Sequence, residues 1–565
     1  MNNLLNHSGE YPISNEIMNI SRYWLIEEKE AVTKLVDKAH MSSVQKAQVR
    51  EKAYGLVEKV RKNRLKKSGI DAFMIEYDLS SEEGIVLMCL AEALLRVPDK
   101  YTIDLLIKDK LTSAAWKSHV GREKHLFVNA ATWSLMLTGK ILKNPHGAYR
   151  KVFQNLLKKS SEPVIRQAMK QAMKIVGKQY VLGETIEEAL KVSETKVARG
   201  YSYSYDMLGE AAMTMADADY YYSQYLHAIN ELAKYATNKE IKKNPGISIK
   251  LSALHPRYEV AKHQRVHEEL YPKLFKLTQL AKEYNVGMNI DAEETERLQI
   301  SLELVERLAH EPSLDGFDGI GIVVQAYQKR APYVLDYLAN LAKKTNRRFM
   351  IRLVKGAYWD AEIKHAQEQG LAGYPVFTRK YHTDVSYQAC VKQLFENHQY
   401  IYPQFATHNA QTVAVVMELA NGNKDFEFQC LHGMGDPLYD NIVGKEGYED
   451  IPCRIYAPVG GHKHLLAYLV RRLLENGANS SFVNRIVDEN LPIEELIEDP
   501  VKKAVDYGCG QHPNIPYPKD IVAPRLNSQG HNTNDFAVLA EMYKNIEKYT
   551  PVSYTHLRAH ETTSH

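Results

Sequence analysis

Two adjacent arginines near the end of the chain have a spacing that indicates binding chemistry. In the segment 465–477, LLAYLVRRLLENG, leucine and valine recur at the spacing of one buried helical stripe. The opposite stripe carries Tyr468, Arg471, Arg472 and Glu475. A planar guanidinium binds a carboxylate through two parallel hydrogen bonds, so the arginine pair predicts a carboxylate clamp. The alternative is a solvated helix face with an Arg to Glu pair, and only the rest of the chain distinguishes the two.

Eight segments with the alternation of β-strands precede that helix and must position it. They lie at 203–208, 247–252, 287–293, 319–327, 348–359, 403–409, 426–432 and 453–458. Helical patterns separate them, and parallel strands need such crossovers, whereas an antiparallel sheet with one solvated face does not. The sequence therefore predicts an α/β fold, a (βα)8 barrel.

The alternation within the strands predicts which side chains point into the barrel. Lys250 lies between Ile249 and Leu251, and Asp291 follows Ile290. If the apolar side chains pack on the surrounding helices, the polar ones line the interior. The other polar positions of this kind include Ser248, Asn289, Gln325, Arg352, Glu427 and Gln429. Several of them gather toward the carboxyl ends of the strands, where barrel enzymes build their active sites.

Composition and charge exclude several classes of function. With 44% hydrophobic and 25% charged residues, the chain of 565 residues is typical of a soluble protein with more than one domain. Its net charge of +3 gives no reason to expect nucleic acid as a partner. Five scattered cysteines without a C-x-x-C pair indicate reduced thiols and a cytoplasmic location, and we predict no metal. We expect neither a secretory signal nor a membrane span.

Helical periodicity fills the first third of the chain. We predict a helical arm over residues 1–60, an all-helical domain over 61–185 and the barrel over 186–500. Residues 501–551 are interpreted as a connector. The tail 552–565, VSYTHLRAHETTSH, resembles a translated sequencing adapter, so we treat it as non-native.

Nine motifs carry a resemblance to a known family: YSYDMLGEAA, ISIKLSALHPRYE, NIDAEE, VVQAYQKR, MIRLVKGAYWD, YPQFATHNA, FEFQCLHGM, RIYAPVG and AYLVRRLLENGANSSFVNRI. In order and spacing they resemble the proline dehydrogenase half of the bifunctional proline utilisation A (PutA) family, over roughly residues 10–550. The resemblance implies a distorted barrel that binds FAD noncovalently, oxidises L-proline to 1-pyrroline-5-carboxylate and passes electrons to a membrane quinone. The chain has no G-x-G-x-x-G motif opening a βαβ unit and no Walker A motif, which agrees with a flavin site built from barrel loops.

The resemblance also implies roles around the substrate. Arg471 and Arg472 match the family's carboxylate-binding pair, and Lys250 matches a third cationic contact. Asp291 matches an acidic residue that balances these charges and helps to position the amine. The residues matched to the wall around the pyrrolidine ring are Tyr358, Leu431, Tyr456 and Tyr468. Among all of these, Lys250, Asp291, Tyr456, Arg471 and Arg472 are the predicted catalytic residues.

A second set of residues matches the family's flavin contacts, with the Arg352 guanidinium expected near the flavin N5. The set comprises Gln325, Arg352, Val354, Gly356, Ala357, Trp359, Thr378, Lys380, Thr407, His408, Gln429, Cys430 and Glu475, with Glu210 near the pocket. For His408 a hydrogen-bonded structural role is favoured over proton transfer.

The chain departs from the full family pattern at both ends. It starts at the arm, without the ribbon-helix-helix of some members, so we do not expect autoregulatory DNA binding. The NAD-dependent aldehyde dehydrogenase half would follow residue 550, and 501–551 resembles the connector toward it. We hypothesise that the natural gene continues into that second enzyme.

Two other functions stay open. The barrel of another enzyme, such as an aldolase or decarboxylase, would use Lys250 as a Schiff-base amine. A truncated, inactive fragment would bind flavin poorly. The sequence leaves open whether the protein forms a homo-oligomer, how strongly it contacts the inner face of the membrane, and how it discriminates among proline analogues.

Overall fold

The computed structural model describes residues 13–64, 180–444, 450–461 and 491–546, with the single positions 11, 99, 101, 102, 468, 485, 486 and 548. Most of the predicted helical domain, 61–185, and the predicted tail, 552–565, lie outside these residues. The strands are β1 (Tyr201–Met207), β2 (Gly246–Ile249), β3 (Gly287–Ile290), β4 (Ile320–Gln325), β5 (Phe349–Val354), β6 (Ile401–Ala406), β7 (Glu427–Leu431) and β8 (Cys453–Val459).

Helices precede the barrel, alternate with its strands and follow it. They are α1 (Asn15–Ser21), α2 (Glu28–Lys38), α3 (Ser43–Arg64), α4 (Ile186–Val197), α5 (Met215–Ala233), α6 (Tyr271–Glu283), α7 (Leu298–Ala309), α8 (Ala331–Lys344), α9 (Trp359–Glu368), α10 (Lys380–Glu396), α11 (Ala410–Ala420), α12 (Asp436–Tyr439), α13 (Ile493–Leu496) and α14 (Pro500–Asp506). No helix within the described ranges combines the length and apolar content needed to cross a bilayer.

The eight strands form a closed parallel barrel in chain order. Each strand pairs with the next, and β8 returns to β1 with Tyr203 beside Ile455 and Tyr205 beside Ala457. This confirms the predicted (βα)8 fold. The strands predicted at 247–252 and 287–293 were too long, because the chain leaves the ladder after Ile249 and Ile290 and turns into the loops of the barrel mouth.

Polar side chains fill the barrel interior, as the alternation predicted. Near the amino ends of the strands, Asn289 Nδ2 donates to Gln404 Oε1 (2.9 Å) and Gln404 Nε2 donates to Glu427 Oε1 (3.0 Å). Arg454 Nε donates to the same carboxylate oxygen (2.8 Å), and its Nη1 donates to the Tyr203 carbonyl (3.1 Å). A buried ion pair is tolerated when hydrogen bonds satisfy its remaining donors and acceptors. This layer therefore closes the floor beneath the mouth.

The N-terminal helices pack on the outside of the barrel. Apolar residues of α2 join α10 and α14 in one buried cluster, which includes Leu35, Val385 and Val501. The α3 helix packs on α11, where Lys52 Nζ lies 3.2 Å from Glu418 Oε2. These contacts explain the amphipathic pattern of the first 60 residues, since a short helix gains most of its stability from packing its apolar face.

Candidate active site

A cluster of charged side chains lies where β1, β2, β3, β5 and β8 reach the barrel mouth. We call Asp206, Lys250, Asp291, Arg352 and Tyr456 the mouth cluster. Lys250 follows the last residue of β2, and its Nζ lies 2.5 Å from Asp206 Oδ1 and 3.5 Å from Asp291 Oδ2. The same Nζ lies 3.3 Å from the Tyr456 hydroxyl. The parallel pairing of neighbouring strands brings these groups to one level.

Arg352 and Tyr456 hold the carboxylate of Asp291 from two sides. Arg352 Nη1 donates to Asp291 Oδ1 at 2.8 Å, and the Tyr456 hydroxyl donates to Asp291 Oδ2 at 2.7 Å. Arg352 Nη2 donates to Ser248 Oγ (3.0 Å) and Ser204 Oγ (3.2 Å). The guanidinium carbon also lies 5.2 Å from the centre of the Tyr456 ring. These contacts fix the orientation of Arg352 inside the barrel.

Burial and mutual charge set the protonation of the mouth cluster. Burial by itself lowers the pKa of Lys250, but the charges of Asp206 and Asp291 outweigh it and hold that pKa well above its usual range. Burial raises the pKa of Tyr456 well above its ordinary value, and the same carboxylates add to that rise. Burial also raises the pKa of Asp206, an effect that the Lys250 ammonium opposes. Lys250 is therefore a cation and Tyr456 a neutral hydrogen-bond donor at neutral pH.

An apolar wall stands beside the mouth cluster. Tyr468 is buried in a cluster with Leu208 and Met434, against which Leu431 and Tyr456 pack. The structure thus brings together three of the four residues predicted to surround the substrate ring. The fourth, Tyr358, is half-buried immediately before α9. An ionic group beside an apolar surface suits a small ligand with one charged end and one hydrocarbon side.

The segment from the end of β5 to the start of α9 contains four of the predicted flavin contacts. Val354 and Trp359 are half-buried, whereas Gly356 and Ala357 are exposed. Gly356 has a φ of +135°, and a Cβ there would lie 2.4 Å from the Tyr327 ring, so the loop requires glycine at this position. Trp359 Nε1 donates to the Phe377 carbonyl (2.8 Å), which ties this loop to the next one.

Of the predicted flavin contacts, Thr407 and His408 directly follow β6, and Cys430 lies on β7. His408 is half-buried and its Nε2 accepts a hydrogen bond from the Leu431 backbone N–H (3.0 Å), which agrees with a structural role for this ring. Thr407 is buried, and its Oγ1 accepts from the Asn409 N–H (3.2 Å). The Cys430 side chain instead lies on the outer side of β7, with its Sγ 3.8 Å from that of Cys453. The structure does not bring this thiol to the mouth cluster.

The remaining predicted contacts are distributed over β4, β7, the loop after β1 and the start of α10. Gln325 ends β4 and donates through Nε2 to the Glu293 carbonyl (3.3 Å). Thr378 is buried, Lys380 is exposed at the start of α10, and Glu210 is half-buried in the loop after β1. Gln429 points inward from β7, where its Nε2 donates to Glu427 Oε1 (2.8 Å).

Three of the buried polar atoms without a hydrogen-bond partner within the described ranges belong to strand side chains that point into the barrel. They are Asp206 Oδ2, Arg352 Nε and Gln429 Oε1. Buried polar groups are normally hydrogen-bonded, so unused donors and acceptors indicate a surface built to receive a polar ligand. The Arg352 Nε donor, the inward-pointing Gln429 side chain and the loop with Gly356 fit a flat polar cofactor at this end of the barrel.

A family model described as proline dehydrogenase matches residues 189–485, which is more than half of the chain. The chain belongs to the proline dehydrogenase family. Two further models match the N-terminal part of the chain. One, described as the proline utilization A proline dehydrogenase N-terminal domain, matches 18–61, and one described as the DNA-binding domain of proline dehydrogenase matches 69–180.

Curated relatives of this chain include bifunctional PutA proteins. The Salmonella typhimurium protein is 53% identical over 529 residues, which cover 90% of this chain and 40% of the relative. The Escherichia coli protein is 54% identical over 520 residues, covering 89% and 39%. A solved structure of proline utilization A with proline bound in remote sites superposes with a TM-score of 0.73 at 44% identity, covering 93% of this chain and 53% of that one. The chain thus spans about 40% of the length of these curated relatives.

Three predicted site residues, Arg471, Arg472 and Glu475, lie outside the described residues, so the carboxylate clamp stays a prediction. The sequence analysis missed Asp206, together with Ser204, which Arg352 contacts. The signal was present in β1, where tyrosines alternate with Ser202, Ser204 and Asp206. The same parity rule that identified Lys250 places Asp206 inside the barrel.

A partly buried group of possible metal ligands lies outside the barrel mouth. His263 Nε2 lies 2.5 Å and His267 Nε2 3.3 Å from Glu303 Oε2. Arg307 Nη1 lies 3.3 Å from His267 Nδ1 and, as a donor, requires that nitrogen to accept. The proton of neutral His267 then sits on Nε2, where it donates to Glu303. A ligating histidine normally donates from its second nitrogen, so this geometry disfavours a metal ion.

Proposed function

We propose that this chain oxidises L-proline to 1-pyrroline-5-carboxylate with bound FAD and passes the electrons to a membrane quinone. The observation that carries the proposal is the mouth cluster in a barrel of the proline dehydrogenase family. Lys250, Asp291, Arg352 and Tyr456 converge there from separate strands. L-proline carries a carboxylate, a ring amine and a hydrocarbon face, and the mouth offers a partner for each.

Among the described residues, Lys250 provides the ammonium that would bind the substrate carboxylate. Arg471 and Arg472 are predicted to complete the clamp. The Asp291 carboxylate balances this charge and is held in place by Arg352 and Tyr456. Leu431 and Tyr468 provide the apolar wall against which the pyrrolidine ring would pack. Fixing both ends of the substrate orients the carbon beside the amine, which reduces the entropy cost of the reaction.

The chemistry that bound FAD would supply is the acceptance of a hydride equivalent from the proline carbon beside the amine. The described groups that would hold FAD are Arg352, Gln429 and the segment from the end of β5 to the start of α9, with Val354, Gly356, Ala357 and Trp359. Further predicted contacts are Thr378, Lys380, Thr407 and His408. Arg352 Nε is a buried donor without a partner within the described ranges, so this guanidinium suits a site that gains negative charge. The apolar wall limits the access of water to the same space.

The Schiff-base alternative is not favoured by the geometry of Lys250. A nucleophilic lysine must be neutral, and catalytic lysines achieve this through desolvation or a neighbouring cation. Here the amine lies 2.5 Å from Asp206 and 3.5 Å from Asp291, and its pKa is raised well above the ordinary value. The charged form is therefore stabilised.

Three further parts of the proposal concern regions around the barrel. The family matches over 18–61, 69–180 and 189–485 support the boundaries 1–60, 61–185 and 186–500, and the connector over 501–551 stays a prediction. Peripheral contact with the membrane that contains the quinone follows from the proposed acceptor.

We do not propose nucleic acid as a partner, because the net charge of the chain is only +3. The family model that matches 69–180 is described as a DNA-binding domain, and this description argues for a nucleic-acid partner. A salt-dependent gel shift with duplex DNA would contradict the expectation from the net charge.

The test is the visible spectrum of the purified chain. We expect a yellow protein whose flavin absorbance bleaches during anaerobic titration with L-proline and returns when a soluble quinone is added. A folded protein that stays colourless after incubation with FAD would overturn the cofactor assignment and would also indicate an inactive fragment. A yellow protein that L-proline does not bleach would overturn the substrate assignment.

A further inference from the structure

Asp206 is the dedicated counter-ion of Lys250. Its side chain is completely buried, and its Oδ1 lies 2.5 Å from Lys250 Nζ. The register of β1 and β2 sets Asp206 beside Ser248, so that both side chains enter the barrel next to the end of β2. Arg352 donates to Ser248 and Ser204 at this level, but no described contact joins Arg352 to Asp206.

The other groups that face Lys250 have partners of their own. Asp291 lies 3.5 Å from Nζ, but its two oxygens accept hydrogen bonds from Arg352 and Tyr456. The Tyr456 hydroxyl lies 3.3 Å from Nζ and is neutral. The Lys250 backbone N–H donates to the hydroxyl of Tyr225 on α5 (3.1 Å), which adds no charge. Asp206 is thus the nearest carboxylate to the ammonium, and Lys250 is its nearest described cation.

We propose that Asp206 is a positioning residue that keeps Lys250 protonated and directed into the barrel mouth, where the ammonium meets the substrate carboxylate. The inference rests on the proposed function for the identity of that substrate. A buried lysine without a counter-ion readily loses its proton, since burial penalises the charged form. Without Asp206, a neutral amine would face the carboxylate and the attraction between them would be lost.

The experiment measures the KM for L-proline from pH 6.5 to pH 9 in wild type and in Asp206→Asn. In wild type, Lys250 should cause little change of KM with pH, because the lysine stays charged throughout this range. In the variant KM should rise by about tenfold or more relative to wild type at the upper end and recover at the lower end. The kcat at saturating proline should change less. Adding Lys250→Arg to the variant should remove the pH dependence, because a guanidinium stays charged without a counter-ion.

The matched control is Asp425→Asn. Asp425 also pairs with a lysine, Lys242, at 2.8 Å, but this pair is partly exposed at the opposite end of the barrel. Its KM profile should follow wild type. A parallel KM profile in Asp206→Asn and wild type would overturn the inference, whatever the absolute KM. Asp206→Ser carries the same expectation if the asparagine variant does not fold.

A second measurement separates this inference from the proposed function. Cyanate carbamoylates only neutral amines, and peptide mass spectrometry reports the modification of Lys250 itself. At pH 8 we expect Lys250 to react about tenfold or more faster in Asp206→Asn than in wild type. Equal rates would overturn the role of Asp206. This readout needs no turnover, so a wild type without proline oxidation would refute the proposed function alone.

Discussion

Glu28 on α2 and Thr378 in the loop before α10 share four close contacts although 350 positions separate them. Both carboxylate oxygens accept from the Thr378 N–H (3.0 and 3.1 Å) and lie 3.1 and 2.9 Å from its hydroxyl. His382 Nδ1 lies 2.7 Å from the same carboxylate, and the His512 N–H donates to Thr378 Oγ1 (2.8 Å). The N-terminal arm and the segment after the barrel thus hold one predicted flavin contact between them.

Glu28→Gln should loosen that loop and weaken FAD binding. The variant loses a charged acceptor whose hydrogen bonds are fully buried, which costs about 1.5 to 3 kcal/mol per bond to a charged group. We expect a lower midpoint of urea unfolding and a higher Kd for FAD, measured by reconstitution of the apoprotein. Glu16→Gln is the control, because Glu16 pairs with Lys344 on the surface. An unchanged FAD affinity in Glu28→Gln would show that the arm does not support the cofactor site.

The barrel could be predicted from sequence because its signals are local. Alternation over a few residues identified each strand, and the same alternation placed Lys250 and Arg352 inside. Asp206 obeyed that rule but was missed, because the parity of the first strand was not applied to it. The contact between Glu28 and Thr378 has no local signal, since a solvated glutamate on an amphipathic helix and a buried one have the same sequence pattern.

Tyr456→Phe should lower kcat/KM for L-proline by about tenfold, which corresponds to about 1.4 kcal/mol. The variant removes the hydroxyl that donates to Asp291 Oδ2 at 2.7 Å but keeps the ring in the apolar wall. The control is Tyr402→Phe, which removes a hydroxyl 3.4 Å from Glu427 in the floor of the same barrel. It should leave the steady-state kinetics unchanged. Equal kinetics for Tyr456→Phe and wild type would exclude the hydroxyl from the site.

Gly356→Ala should disrupt the loop after β5. The added methyl group would lie 2.4 Å from the Tyr327 ring, and a φ of +135° is unfavourable for any residue with a Cβ. Because the loop carries predicted flavin contacts, we expect purified Gly356→Ala to contain less FAD per chain, measured from the ratio of visible to ultraviolet absorbance. The control is Gly55→Ala in α3, where no atom lies within 4 Å of the new Cβ. That change should raise stability by about 0.5 to 1 kcal/mol, since alanine favours helix over glycine.

His267 should make the fold less stable in mild acid. Burial lowers its pKa below the ordinary 6.5, and the charges of His263 and Arg307 act in the same direction while Glu303 opposes them. The unfolded chain then binds more protons than the folded one once pH falls toward that ordinary value. Protonation of His267 therefore leaves the free energy of unfolding unaffected above about pH 6.5. As the pH falls from there toward the pKa of the folded protein, that free energy decreases by at most about 1.4 kcal/mol per pH unit.

The measurement is the free energy of urea unfolding at steps from pH 7.5 to pH 5.5 in wild type and His267→Gln. Glutamine keeps an N–H donor for Glu303 but does not titrate, so the variant should lose less stability across this range than wild type. His310→Gln, which changes an exposed histidine at the end of α7, should keep the wild-type slope. If the free energies of unfolding of His267→Gln and wild type fall in parallel, the acid sensitivity arises at another group. His267, which stacks on Tyr11, then does not link protonation to unfolding.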